Sequence, residues 1–232
     1  MSVGMPFKLE NEMVDPVVRW LERRHLTVKR EFSLPWGVCD LVGLKFDAER
    51  VRQRVLYGQK RPIGPPLRLH ILSKIPEVGS RRAITLRQLR AEFLDYLSGE
   101  LLERELCALE RDKFVTSSQA GRFQKFNGWA PLHQSIHAVE LKLTRVSEAL
   151  SQAACNRAFA THSYVALPGK LALSMANSKR AAEFRRTGIG ILGVWGGFCR
   201  EMLKPRSHHG FHDELVQSHV VERFWRTRGS SP

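Results

Sequence analysis

The chain has 232 residues, 43% of them hydrophobic, and a formal charge of +14 from 37 Lys/Arg and 23 Asp/Glu. That apolar share fills one large core or two small ones and excludes a disordered tail, while the longest apolar run, Ile189 to Phe198, is about ten residues and too short to span a bilayer. A positive excess of this size points to a polyanionic partner, with nucleic acid ahead of an acidic protein or an anionic lipid surface.

In chain order, "LENEMVDPVVRWLERR" (Leu9 to Arg24) places Met13, Val17, Trp20 and Leu21 at helical spacing, with Asp15 as N-cap and Pro16 in the first turn. "LTVKREFSL" reads as extended. "WGVCDLVGLKF" reads as a strand with Val38, Asp40, Val42 and Leu44 on one face. "RVLYGQKRPIGPPL" suggests a short strand and then a Pro/Gly break. Three helices follow: "PLRLHILSKIP"; "TLRQLRAEF", capped by Thr85; and "SGELLERELCALERDKFV", capped by Ser98, with Leu101, Leu102, Leu106 and Leu109 as its apolar stripe. "KFVTSSQAGRFQKFNGW" predicts a hairpin turning near Gln119, Ala120 and Gly121. Three helices and a two-stranded wing resemble the winged-helix family. Beyond them the chain reads as strand "HAVELKLTR", helix "VSEALSQAACNRAFATH", strand "SYVALP", helix "SKRAAEFRRTG" closed by Gly188, strand "IGILGVWG", helix "FHDELVQSHVVERFWR" and a frayed tail from Arg226 to Pro232. The alternation implies βαβ units and a mixed or parallel sheet.

Within "HAVELKLTR", Val139, Leu141 and Leu143 alternate with Glu140 and Lys142, so an acid and a base project from one face of a strand that is otherwise core-like. Taken alone, such a pair is a salt bridge on a solvated face. Asp40 changes the reading, because a carboxylate set into "VCDLV" is poorly explained by packing where Val or Ile fits better. Glu10 lies in the helix before that strand, and Gln152 in the helix after "VELK".

This order of helix with Glu, strand with Asp, strand with E-x-K and helix with Gln resembles the PD-(D/E)XK, or restriction-endonuclease-like, nuclease superfamily. The likeness covers residues 9–46 and 136–195. The E-x-K element is Glu140-Leu141-Lys142, and the acidic element is Cys39-Asp40, without the preceding proline. The resemblance implies an α/β fold, a mixed β-sheet flanked by helices, built from residues 1–73 and 136–232 and interrupted by a winged-helix-like insertion over residues 74–135. It implies a metal-dependent nuclease acting on DNA ahead of RNA, an endonuclease ahead of an exonuclease. Asp40, Glu140 and the Leu141 carbonyl would ligate Mg²⁺, with Mn²⁺ as substitute. Lys142 would orient the attacking water or stabilise developing charge. Glu10 would assist a second metal or orient a ligand, and Gln152 would position Lys142, the water or the backbone. Without metal, Asp40 and Glu140 should repel, and one should hold a proton near neutral pH.

Lys/Arg outnumber Asp/Glu by 13 to 8 in residues 1–73, 10 to 8 in 74–135 and 14 to 7 in 136–232, so the excess sits in the outer segments. Nucleic-acid contacts are expected from Arg87 and Arg90 of the insertion's second helix, from Arg122 and Lys125 of the wing, and from Arg180, Arg185 and Arg186. Glu100, Glu103, Glu105 and Glu110 argue against the insertion's third helix entering a groove. The insertion reads equally well as a structural or protein-docking element, and a homodimer is the simplest route to double-strand cleavage. The competing class is a catalytically silent nucleic-acid-binding, regulatory or assembly protein on the same core.

Other motifs carry less. "GIGILG", Gly188 to Gly193, follows a helix and runs through a strand, the reverse of a dinucleotide fingerprint. His208, His209, His212 and Asp213 surround Gly210 and read as a solvated loop, not a metal site. No G-x-S-x-G elbow or P-loop motif occurs. The N-terminal "MSVGMPFKLE" lacks a secretory pattern, and Cys39, Cys107, Cys155 and Cys199 form no CxxC pair, so a reduced, cytoplasmic protein is expected.

Overall fold

The computed structural model describes residues 7–94, 96–118, 120–126, 131–207 and 213–228, the side chains of 226–228 excepted. The chain opens with a 3-10 turn (Glu10–Met13), α1 (Val14–Glu22), β1 (Thr27–Leu34) and β2 (Gly37–Phe46). Next come α2 (Ala48–Leu56), α3 (Pro66–Lys74), β3 (Ile84–Thr85), α4 (Leu86–Glu92), α5 (Gly99–Arg111), β4 (Val115–Ser117) and β5 (Arg122–Lys125). The last stretch holds β6 (His133–Leu141), α6 (Val146–Asn156), β7 (His162–Pro168), α7 (Gly169–Asn177), α8 (Ala181–Thr187), β8 (Gly190–Trp195), β9 (Phe198–Leu203) and α9 (Glu214–Arg228).

These elements fold as two compact units. One takes residues through Phe46 together with His133–Asp213, and the other takes Asp47–Leu132 together with residues from Glu214 on. The divisions therefore fall near positions 46 and 132, not at 73 and 135, and the C-terminal helix α9 belongs with the middle of the chain. Packing gives the reason. Leu69, Ile71 and Leu72 of α3 share one core with Leu89, Phe93, Leu102, Leu106 and Leu109, and Leu215 of α9 packs against it.

The first unit is an α/β unit with a mixed six-stranded sheet in the order β1-β2-β6-β7-β8-β9. β1, β2 and β6 run as antiparallel neighbours, β6, β7 and β8 are parallel, and β9 closes the far edge antiparallel. On one face α1 buries Met13, Val17, Trp20 and Leu21 against Leu41, Val139, Leu141, Leu192 and Val194. Each such side chain contributes about 1.5–3 kcal/mol on leaving water. The other face is covered by α6, α7 and α8, whose Ala149, Ala153, Ala172 and Phe184 meet Val165, Leu167 and Ile191. Glu140 is turned away from the α1 core, toward Asn156 of α6.

Several local expectations differ in detail. α1 starts ahead of Asp15, with Met13 at its N-cap, so Asp15 sits in the first turn and pairs with Arg30 at 2.7 Å. The stretch from Arg54, read as a short strand, is the last turn of α2, whose cap Asp47 accepts from the amides of Glu49 and Arg50. β3, α7 and β9 were not anticipated; β3 has only two residues, too few for a periodic signal. Gly188 ends α8 at φ +71, as a left-handed cap does. Gly190 is set by close approach, since a Cβ there would lie 2.6 Å from Tyr164 Cδ1. Packing and capping thus account for two glycines of "GIGILG".

The second unit orders α3, β3, α4, α5 and the β4–β5 hairpin, with a small sheet in the order β3-β5-β4. Thr85 caps α4 in a reciprocal box with Gln88, and Ser98 caps α5. A buried ion pair, Arg54 with Glu222 at 2.5 Å, ties α2 to α9. The hairpin turn at Gln119, the break at 127–130, the histidines His208, His209 and His212, and the tail at 229–232 lie outside the described residues. No helix among the described residues is long and apolar enough to cross a membrane.

Candidate active site

The antiparallel register of β2 on β6 builds the site. Leu41 is paired with Val139, and Asp40 and Glu140 are the next residues along the two strands, where the Asp40 carboxylate takes up the Leu141 amide. Two carboxylates separated by a hundred positions are thus brought close enough to interact. Lys142 follows just beyond the end of β6, where its amide continues toward β7 by donating to Ala166 O at 3.1 Å.

Each group is held by a named partner. Asp40 Oδ2 accepts from the Leu141 amide at 2.7 Å. Glu140, 2% exposed, accepts from Asn156 Nδ2 through Oε1 at 2.6 Å. Lys142, 6% exposed, meets Glu10 Oε2 at 3.7 Å, and Glu10 Oε1 accepts from the Leu143 amide at 3.4 Å. Asn156 Nδ2 also lies 3.4 Å from Cys39 Sγ. Leu141, expected to offer its carbonyl, enters the network through its amide.

The electrostatics follow from burial and repulsion. Loss of solvent, then the charge of Asp40, pushes the Glu140 carboxyl up to about 7, against the Asn156 hydrogen bond and the Lys142 charge. Asp40 is also pushed up by burial, opposed by the Leu141 amide and by Lys142. Burial, helped by Glu140 and Asp40, raises the Cys39 thiol well above its ordinary value, so Cys39 stays protonated and acts by packing.

Asp40, Glu140, Lys142 and Glu10 therefore converge. Gln152 lies one helical turn before Asn156 on α6, and its Oε1 is buried with no hydrogen-bond partner among the described residues. Asn156 was missed from the sequence, although the signal was present. On α6 it continues the buried stripe of Ala149 and Ala153, and a polar residue there needs a partner.

The donor chemistry fits a hard divalent cation. Of two half- or fully buried carboxylates, Asp40 raises the proton affinity of Glu140, and an orphaned amide oxygen lies one turn from the asparagine that holds Glu140. No group of three or more His, Cys, Asp or Glu that could hold a metal ion gathers among the described residues, so these donors amount to two carboxylates and neutral oxygens. A magnesium-type ion, which keeps several waters, needs no more.

The basic residues read as nucleic-acid contacts differ in state. Arg87, Arg122, Arg180, Arg185 and Arg186 are exposed. Arg90 is ion-paired with Glu103. Lys125 is drawn inward, its Nζ 3.5 Å from Leu72 O, and burial lowers its pKa, so it is not an open surface cation. The acids of α5 are also largely engaged. Glu105 pairs with Arg68 and Arg104, while Glu110 accepts from the Ser117 hydroxyl at 2.5 Å. The objection that they repel phosphate is weaker than their number suggests.

No family model, no curated protein and no solved structure matches the chain.

Proposed function

We propose that the chain is a metal-dependent nuclease hydrolysing DNA phosphodiester bonds, with Asp40, Glu140 and Lys142 as its catalytic residues. The observation carrying this reading is the convergence of Asp40 on the Glu140-Leu141-Lys142 stretch, where its carboxylate accepts from the Leu141 amide at 2.7 Å. Packing alone does not call for three ionisable groups gathered where two of them, Glu140 and Lys142, are 2% and 6% exposed. Asp40 and Glu140 would hold Mg²⁺ or Mn²⁺. When bound, such an ion neutralises phosphate charge and lowers the pKa of a water.

The chain's own residues do the rest. The Leu141 amide and Asn156 fix the orientations of the two carboxylates. Glu10 holds the Lys142 ammonium, which would then face the phosphate and stabilise charge developing on its oxygens. Gln152 Oε1 is available to orient a water.

The second unit supports a winged-helix-like reading through its order of helix, short strand, two helices and hairpin. In this reading it aids targeting, with the exposed Arg87 and Arg122 as DNA contacts. The decisive measurement is cleavage of plasmid and oligonucleotide DNA with Mg²⁺ or Mn²⁺. Asp40→Ala, Glu140→Ala and Lys142→Ala should each abolish it while retaining DNA binding in chelator. Cleavage persisting in Asp40→Ala or Lys142→Ala overturns the assignment. Binding without any metal-dependent cleavage by the wild type establishes the catalytically silent class instead.

A further inference from the structure

The second unit holds a cavity of about 580 Å³ between the loop that opens α3, the end of α5 and α9. Its ionisable lining is Arg61, Arg68, Arg111 and Arg223 against Asp112 and Glu222. The two carboxylates are already spoken for. Glu222 is held from behind by Arg54 through two hydrogen bonds, at 2.5 and 2.9 Å, and accepts a third from the Ile63 amide at 2.8 Å. Asp112 is shared by three guanidiniums, with Arg111 at 3.3 Å, Arg61 at 3.5 Å and Arg68 at 3.9 Å. Arg68 also binds Glu105 at 2.6 Å. Counting Arg54 and Glu105, five guanidiniums face three carboxylates, an excess of two positive charges around one concavity.

Two further observations point to a ligand. His219 lines the same cavity, and its Nδ1 is buried with no hydrogen-bond partner among the described residues. The wall between Arg61 and Arg68 carries Pro62 and Pro65, whose fixed backbone angles keep it in shape without a ligand. Guanidiniums present paired N–H donors that match the oxygens of a phosphoryl group. The volume lies inside the range of small-molecule sites, roughly 300–1,000 Å³.

We propose that this cavity binds a phosphate monoester, either of a free nucleotide or of the terminus of a polynucleotide. The proposal does not depend on Asp40, Glu140 or Lys142. It is tested on the full chain in chelator, by calorimetric titration at constant ionic strength with inorganic phosphate, a nucleoside monophosphate, and oligonucleotides bearing a 5′-phosphate or a 5′-hydroxyl.

The informative variant is Arg61→Ala/Arg111→Ala, because both side chains are mostly exposed, at 70% and 63%, and neither supports the core. Thermal unfolding in chloride checks that it folds as the wild type does. Arg52→Ala, an exposed charge of the same unit outside the cavity, is the control. Phosphate-bearing probes should saturate one site, and affinity should fall about tenfold for each guanidinium removed, since a hydrogen bond to a charged group is worth roughly that factor. Arg52→Ala should bind as the wild type does. Tighter binding of the 5′-phosphorylated than of the 5′-hydroxyl oligonucleotide assigns the anion to a chain end, and equal binding of those two with saturable binding of the mononucleotide assigns it to a free nucleotide. No saturable binding of inorganic phosphate or of the nucleoside monophosphate together with equal binding of the 5′-phosphate and 5′-hydroxyl oligonucleotides, or equal binding by the double variant, overturns the proposal. With chelator present and binding as the readout, that failure leaves the nuclease reading untouched.

Discussion

Glu140→Gln should make the metal-free protein more stable at alkaline pH. Gln keeps a carbonyl oxygen to accept from Asn156 Nδ2, which stands 2.6 Å from Glu140 Oε1, and removes only the ionisable proton. In the wild type the Glu140 carboxyl is pushed from 4.5 to about 7 by burial and by Asp40. Below pH 4.5 folded and unfolded chains both hold this proton. Between 4.5 and about 7 only the folded chain holds it, so stability falls as pH rises through that window. Above it the loss is complete, and the rise corresponds to about 3 kcal/mol. In chelator, urea denaturation should find wild type and variant nearly equal at pH 4 and the variant more stable by about 3 kcal/mol at pH 8. Mg²⁺ added at pH 8 should then stabilise the wild type and leave Glu140→Gln unchanged, because a ligand raises stability only where it binds. Parallel pH curves for the two proteins would refute the electrostatic account of the site.

Asn156→Ala leaves a carboxylate that is 2% exposed without its amide donor, so it should cost about 1–3 kcal/mol in chelator at pH 8 and clearly less at pH 4, measured by the same denaturation. His137, stacked on His162 with ring centroids 4.6 Å apart, is pushed down to about 3 by burial, then by His162. Its neutral form is therefore required in the fold, and its contribution is complete above about pH 6.5 and lost as pH falls toward 3. His137→Phe should flatten that acid limb by about 3 kcal/mol at pH 4; an unchanged acid limb sinks this account. Arg54→Ala strands the Glu222 carboxylate, 5% exposed, in the second unit, and should lower unfolding stability by about 3–5 kcal/mol, whereas Arg54→Met/Glu222→Leu should lie close to wild type.

The strands of the first unit were legible because alternation and apolar runs survive in "VCDLV", "HAVELKL" and "IGILGVW", and caps such as Thr85 and Ser98 mark helix starts directly. α2 was not, because "ERVRQRVLYG" offers only Val51 at helical spacing to Val55 before the apolar run Val55 to Tyr57 that reads as extended, and the Asp47 side chain, bonded to two amides, marks the helix start. The ownership of α9 was hidden for another reason. Which core a helix joins depends on long-range partners such as Arg54 and Glu222, 168 positions apart, and no local pattern encodes that. The site divides the same way. Asp40, Glu140 and Lys142 stood out as charges in apolar strands. Asn156 was passed over for Gln152, because amides at both positions satisfy helical spacing and only the structure says which one reaches Glu140.

The charge balance of the site explains why binding and cleavage should separate experimentally. Fully ionised, Glu10, Asp40 and Glu140 set three negative charges against the single positive charge of Lys142, and that ammonium is already matched by Glu10 at 3.7 Å. The site is then a negative cluster in a chain of net charge +14. A phosphodiester drawn to the basic surface by long-range attraction would meet repulsion at the carboxylates unless two charges are offset. Protonation offsets one of them near neutral pH, as the raised Glu140 indicates, but it removes a ligand and supplies no activated water. A divalent cation offsets both. In the proposed reaction, DNA association therefore follows the overall charge and weakens with salt, with or without metal. Cleavage follows the two carboxylates, demands the cation, and should rise with pH as Glu140 gives up its proton near 7.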